Sequence, residues 1–140
     1  MTTARLKFTD AMLSGDKATD VQHRFLVDVV NEIADVIDDG TAKTQLGQIL
    51  PLLDMYVEWH FEREEKCMFR RSCPYAYANE RAHESFMTVV KRFRVRYQAE
   101  GGSQAMAEEM YHFMCDWLVN HIIKIDSTMR DYPDRTEKPY

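Results

Sequence analysis

Apolar residues recur at three- and four-residue intervals through four long stretches of the chain, and charged or small polar residues fill the positions between. The first stretch starts at Thr19 or Asp20, either able to cap it, and carries Val21, Phe25, Leu26, Val29, Val30, Ile33 and Ile37 before Asp38-Asp39-Gly40. That spacing lays apolar side chains along one stripe of an α-helix, and glycine suits the position just past a helix end. A second helix is expected over roughly Thr41 to Cys67, with Leu46, Ile49, Leu53, Tyr56, Val57, His60 and Glu64 on its stripe. Pro51 lies inside it and should kink the helix or mark its true start, because proline has no N–H for the helical ladder. Arg71-Ser72-Cys73-Pro74 closes that segment. A third helix, about 76–99, carries His83, Phe86, Val90, Phe93 and Tyr97, and Glu100-Gly101-Gly102-Ser103 ends it. The fourth, about 103–125, lines up Met106, Met110, Met114, Trp117, Leu118 and His121.

Four long amphipathic helices joined by short connections predict an all-α fold, an antiparallel up-down-up-down four-helix bundle with an N-terminal arm. Residues 1–18 form the arm, 19–128 the bundle, and 129–140 a polar C-terminal tail with two prolines and little reason to be ordered. Composition agrees: at 140 residues, 45% apolar and 29% charged, the chain suits one globular domain, and five glycines are few for a turn-rich sheet protein. A net charge of −5 opposes general attraction to nucleic acid, and the basic run Lys91 to Arg96 is spaced as the solvated face of a helix. No apolar run is long enough to span a membrane, and the N-terminus lacks the apolar core of a signal peptide. Three cysteines, an odd number without Cys-x-x-Cys spacing, are expected to be reduced in a cytoplasmic protein.

Histidine placement changes the picture. A single histidine on a helix is usually exposed, or a hydrogen-bonded part of a core. Here His23, His60, His83 and His121 fall one on each helix, each on its apolar stripe. Burying an imidazole without a partner costs about 1–3 kcal/mol. Four such costs are large against a net stability of roughly 5–15 kcal/mol. A bound metal removes the difficulty by taking the lone pairs. His112, nine residues before His121, falls half a turn away and should face solvent. Glu64 follows His60 by four residues and shares its face. Asp126 follows His121 by five residues, about 140° round an ideal helix, and points inward only if the helix ends or distorts there. Glu62 and Glu65 lie off the His60 line and are expected in solvent. Imidazole and carboxylate donors inside a helix bundle suit iron better than manganese or zinc.

Asp20-Val-Gln-His23, His60-Phe-Glu-Arg-Glu64, Pro74 leading to His83-Glu-Ser-Phe86, and Trp117-Leu-Val-Asn-His121 followed by Asp126 stand in an order that resembles the hemerythrin-like family, in particular the bacterial hemerythrins. The likeness covers about residues 5–128. It implies two iron ions with a bridging oxo or hydroxo group, His23 and His60 on the ion where dioxygen binds, His83 and His121 on the other, and Glu64 and Asp126 spanning both. It departs from the family at Asn79, where the pattern has a histidine four residues before His83. Three outcomes compete there. Asn79 binds through its carbonyl oxygen or orients a water; Glu80, three residues before His83, swings in as a carboxylate ligand; or one metal is lost and a single iron remains. The resemblance implies a non-haem diiron protein binding dioxygen, or a similar small ligand, for storage, delivery or sensing. A diiron enzyme acting on peroxide, nitric oxide or dioxygen is the alternative, and a metal-stabilised interaction module a third; the sequence identifies no protein partner.

Overall fold

A computed structural model describes residues 2–133. Four helices follow one another: α1 (Lys17–Asp39), α2 (Ala42–Arg70), α3 (Ala76–Glu100) and α4 (Gln104–Lys124). With 21 to 29 residues each, they are rods roughly 30–45 Å long. α2 packs on α1 and α3, and α4 closes the ring against α1. Connections this short make consecutive helices antiparallel, giving the expected up-down-up-down bundle.

α1 begins at Lys17, two or three residues before the expected start, because Asp16 rather than Thr19 or Asp20 caps it. Asp16 Oδ2 accepts from the Thr19 N–H at 3.0 Å and from the Thr19 hydroxyl at 2.6 Å. Asp20 instead accepts from the backbone N–H and hydroxyl of Ser14, both at 2.8 Å, and pins the preceding loop. At the other end Gly40 adopts the left-handed conformation (φ 68°), and the next N–H, that of Thr41, donates to the Val36 carbonyl. α2 runs unbroken through Pro51, which neither ends nor starts it. Gly47, one turn earlier, carries the carbonyl that Pro51 leaves without its helical donor, and the Tyr97 ring of α3 fills the place a Cβ there would occupy.

Each helix contributes to one core: Val30 and Ile33 of α1, Leu46 and Leu53 of α2, Phe86 and Val90 of α3, and Met106, Met110 and Met114 of α4 are at most 2% exposed. Val21 and Phe25, counted on the α1 stripe, are 61% and 39% exposed. Val21 precedes His23 by two residues, about 200° around the helix, so it cannot share the face that buries His23. The arm lies along α1 and α4. Leu6 exchanges two hydrogen bonds with the Asn31 side chain (2.8 and 2.9 Å), and the Tyr111 hydroxyl donates to the Ala4 carbonyl. After α4 a 3₁₀ turn, Asp126–Asp131, buries Met129 among Cys67, Met68, Cys73 and Ala76, so the start of the polar tail is ordered against the bundle. Residues 134–140 of that tail lie outside the described residues. Cys67, Cys73 and Cys115 are free thiols, and among the described residues no helix is long and apolar enough to cross a membrane.

Candidate metal centre

His23 and His83 stand near the starts of α1 and α3, and His60 and His121 near the ends of α2 and α4. In an antiparallel bundle these four places coincide at one end. The histidines, Glu64, Asn79 and Asp126 are 0–6% exposed. Their donor atoms form two groups that share Glu64: His23, His60 and Glu64 in one, Glu64, His83, His121 and Asp126 in the other.

Both carboxylates are divided between the groups. Glu64 Oε2 is 2.8 Å from His23 Nε2 and 3.2 Å from His60 Nε2, while Oε1 is 3.0 Å from His83 Nε2. Asp126 Oδ2 is 3.2 Å from His23 Nε2, and Oδ1 is 3.1 Å from His121 Nε2. Asp126 reaches inward because α4 stops at Lys124 and the chain tightens into the 3₁₀ turn, which cancels the angular offset of an ideal helix. Asn79 is fully buried beside His83 and His121. Glu80 is only half-buried; it lines an outer groove of about 600 Å³ with Glu62 and Glu65 and belongs to neither group. His112 is exposed, as its spacing implied.

Neighbours fix the rings. The His60 Nδ1–H donates to Gln22 Oε1 at 2.6 Å and the His83 Nδ1–H to Glu65 Oε2 at 3.1 Å, which turns the Nε2 atoms toward the centre. Phe61 stacks on His83 (3.7 Å between centroids, 4° between planes) and Trp117 on His121 (4.3 Å, 15°). His23 Nδ1 is buried with no hydrogen-bond partner among the described residues. Gln22 and Glu65 were not foreseen as part of the site. Glu65, expected in solvent, faces α3 because it sits one position past Glu64; the available signal was a carboxylate on the flank of α2 that the neighbouring helix covers.

Charge accounts for why these groups tolerate burial. Burial pulls the His23 pKa down, but hydrogen bonds to Asp126 and Glu64 outweigh it and raise it to about 10. Burial likewise opposes charge on His83, and Glu64 and Glu65 raise it to about 9. His60 is lowered, with burial the main cause. Burial opposes ionisation of Glu64, yet the surrounding imidazoles of His60, His23 and His83 hold it well below the usual carboxylate range. Protons on His23 and His83 thus compensate the buried charge of Glu64. Metal cations fit this donor set: they take up the converging lone pairs and supply the same compensating charge, and mixed imidazole and carboxylate donors in a helix bundle suit transition ions such as iron.

Comparisons with known proteins agree with this geometry. Residues 14–131 match the family described as the hemerythrin HHE cation binding domain. A bacteriohemerythrin of Stenotrophomonas maltophilia (strain R551-3) is 28% identical over 128 residues, 91% of this chain and 81% of that protein. One from Methylococcus capsulatus (strain ATCC 33009 / NCIMB 11132 / Bath) is 31% identical over 107 residues, 76% of this chain and 79% of that protein. The crystal structure of a wild-type hemerythrin superimposes with a TM-score of 0.78 at 27% identity, covering 92% of this chain and 98% of that one.

Proposed function

The chain belongs to the hemerythrin HHE cation-binding family, and from that membership we propose that it is a non-haem diiron protein that binds dioxygen. The observation that carries this reading is the division of Glu64 and Asp126, each giving one oxygen to the His23 side and the other to the His83 and His121 side. A pair of carboxylates split in this way suits two ions held side by side better than one. In this reading His23 and His60 would hold one iron and His83 and His121 the other, with Glu64 and Asp126 each offering one oxygen to either side. The irons, when bound, supply electrons to dioxygen and take them back on its release.

The protein's own residues do the positioning. Gln22 and Glu65 select the tautomers of His60 and His83. Phe61 and Trp117 hold two of the rings from one face and, with Tyr56 parallel to His60 at 6.5 Å, screen the centre from water and stray protons. The His23 side has two imidazoles and shared carboxylates; the opposite side also has Asn79 against it. A small ligand therefore finds the more open position beside His23 and His60. Storage, delivery and sensing of dioxygen all use this binding step.

Reconstitution with ferrous iron under anaerobic conditions tests the reading. Two irons per chain are expected, with visible absorption that appears on exposure to dioxygen and fades when dioxygen is removed. A single iron per chain, or a loaded protein whose spectrum ignores dioxygen, would overturn it.

A further inference from the structure

Asn79 is placed as a ligand rather than as filling. The amide atom that faces the centre lies 2.7 Å from His121 Nε2, 2.9 Å from His83 Nε2, 3.1 Å from Glu64 Oε1 and 3.2 Å from Asp126 Oδ1. Those four atoms form a ring of their own. Glu64 Oε1 to His83 Nε2 is 3.0 Å, His83 Nε2 to His121 Nε2 is 3.2 Å, and His121 Nε2 to Asp126 Oδ1 is 3.1 Å. Across the ring, Glu64 Oε1 and His121 Nε2 are 4.0 Å apart. Half of that diagonal is about 2.0 Å, the length of a bond from a transition ion to an imidazole nitrogen or carboxylate oxygen. The Asn79 amide atom lies 2.7–3.2 Å from all four, as a fifth donor to an ion held among them would.

Two orientations of that amide suit two states. Without a metal, turning the NH₂ group inward puts its two N–H groups within reach of the oxygens Glu64 Oε1 and Asp126 Oδ1 and of His121 Nε2. With a cation among them, those lone pairs are committed to it, and inward N–H groups would point at a positive charge. A carbonyl oxygen there would instead donate to the cation. We propose that Asn79 is a ligand of the ion held by His83 and His121, through its side-chain carbonyl oxygen, and that its amide turns over as the ion binds. This rests on the two-ion reading above. It has a consequence for loading. A neutral amide oxygen is a weaker donor to iron or zinc than an imidazole, so this ion is held less tightly than a third histidine would hold it.

Titration with Zn²⁺ against a competing chelator, combined with NMR of the side-chain amide of Asn79, tests the proposal without any oxygen chemistry. Asn79→Leu keeps the volume and removes the donor; Asn79→His supplies an imidazole; Glu80→Gln removes the carboxylate that stands next to Asn79 in the chain and outside the cluster. Wild type is expected to bind two ions. Asn79→Leu should weaken the ion at His83 and His121 by about 10-fold or more, the scale seen when even a supporting group at a metal site is removed, and leave the ion at His23 and His60 unchanged. Asn79→His should tighten the ion at His83 and His121, and Glu80→Gln should alter neither. On loading, the Asn79 amide protons should lose their contacts with the His83 and His121 rings. Two ions bound with wild-type affinities in Asn79→Leu, with unmoved amide contacts in wild type, would overturn the proposal and leave the two-ion reading standing. A selective loss in Glu80→Gln would overturn it in favour of that carboxylate. Should Asn79→Leu fail to fold, the amide contacts of wild type decide alone. A wild-type protein that takes one ion only would overturn the two-ion reading, and the effect of Asn79→Leu on that single ion would still decide the role of Asn79.

Discussion

Metal uptake should expel protons, and the structure sets how many. In the metal-free centre His23 has a pKa of about 10 and His83 of about 9, against an ordinary value of 6.5. Both are therefore protonated at pH 7, whereas burial keeps His60 on the neutral side. An ion can bind Nε2 only after its proton leaves. Loading both positions at pH 7 should release about two protons per chain, and the product of the two binding constants should rise roughly 100-fold between pH 7 and pH 8, about 2.7 kcal/mol. The rise should flatten as pH passes about 9 and then about 10. For the metal-free protein the sign is opposite. A folded-state pKa raised above 6.5 contributes stability that is fully present below 6.5 and is lost as pH climbs through 9 to 10, so the empty protein should weaken over that range. Calorimetric titration in buffers of different ionisation enthalpy counts the protons directly. No proton release at pH 7, with an affinity that stays flat to pH 9, would refute the reasoning.

Three further outcomes follow from particular contacts. Gln22→Leu removes the acceptor that orients His60 and should weaken metal binding by about 10–100-fold, measured by chelator competition, while leaving the helical circular dichroism unchanged. Ile33→Ala empties a fully buried position in the core away from the centre and should cost about 2–5 kcal/mol in denaturant unfolding, with metal stoichiometry retained. Asp16→Ala removes the cap of α1 and should cost about 1–2 kcal/mol by the same assay. An unchanged midpoint in the Asp16 variant would mean that Arg63 and Arg71, which lie 3.4 Å from the same carboxylate, lose nothing with it.

Much of this was legible in the chain because a helix writes its buried face at a fixed period. The four helices, the left-handed Gly40 and the shared direction of the four histidines all follow from it. What spacing could not supply came from contacts between distant segments. Asp126 is off the His121 face in any continuous helix, and no glycine or proline near Ile125 announces that α4 stops there. Asp20 looked like a cap and serves Ser14 instead, because Asp16 was already in place. Gln22 and Glu65 find their partners on other helices, 38 and 18 residues away, where no local pattern reaches. Met129 stood in a stretch read as polar tail, yet it packs among Cys67, Met68, Cys73 and Ala76 while Arg71 donates to the carbonyls of Met129 and Tyr132.

Because Asp126 stands beyond the last residue of α4, the working unit is longer than its helices. A version trimmed at Lys124 would still count as a full bundle by shape, with every rod present, yet it would lack one of the two oxygen pairs between the histidines. Anyone shortening, fusing or transplanting this scaffold has to set its C-terminal limit by chemistry, at the far side of the turn that ends with Asp131, and not by the last turn of helix.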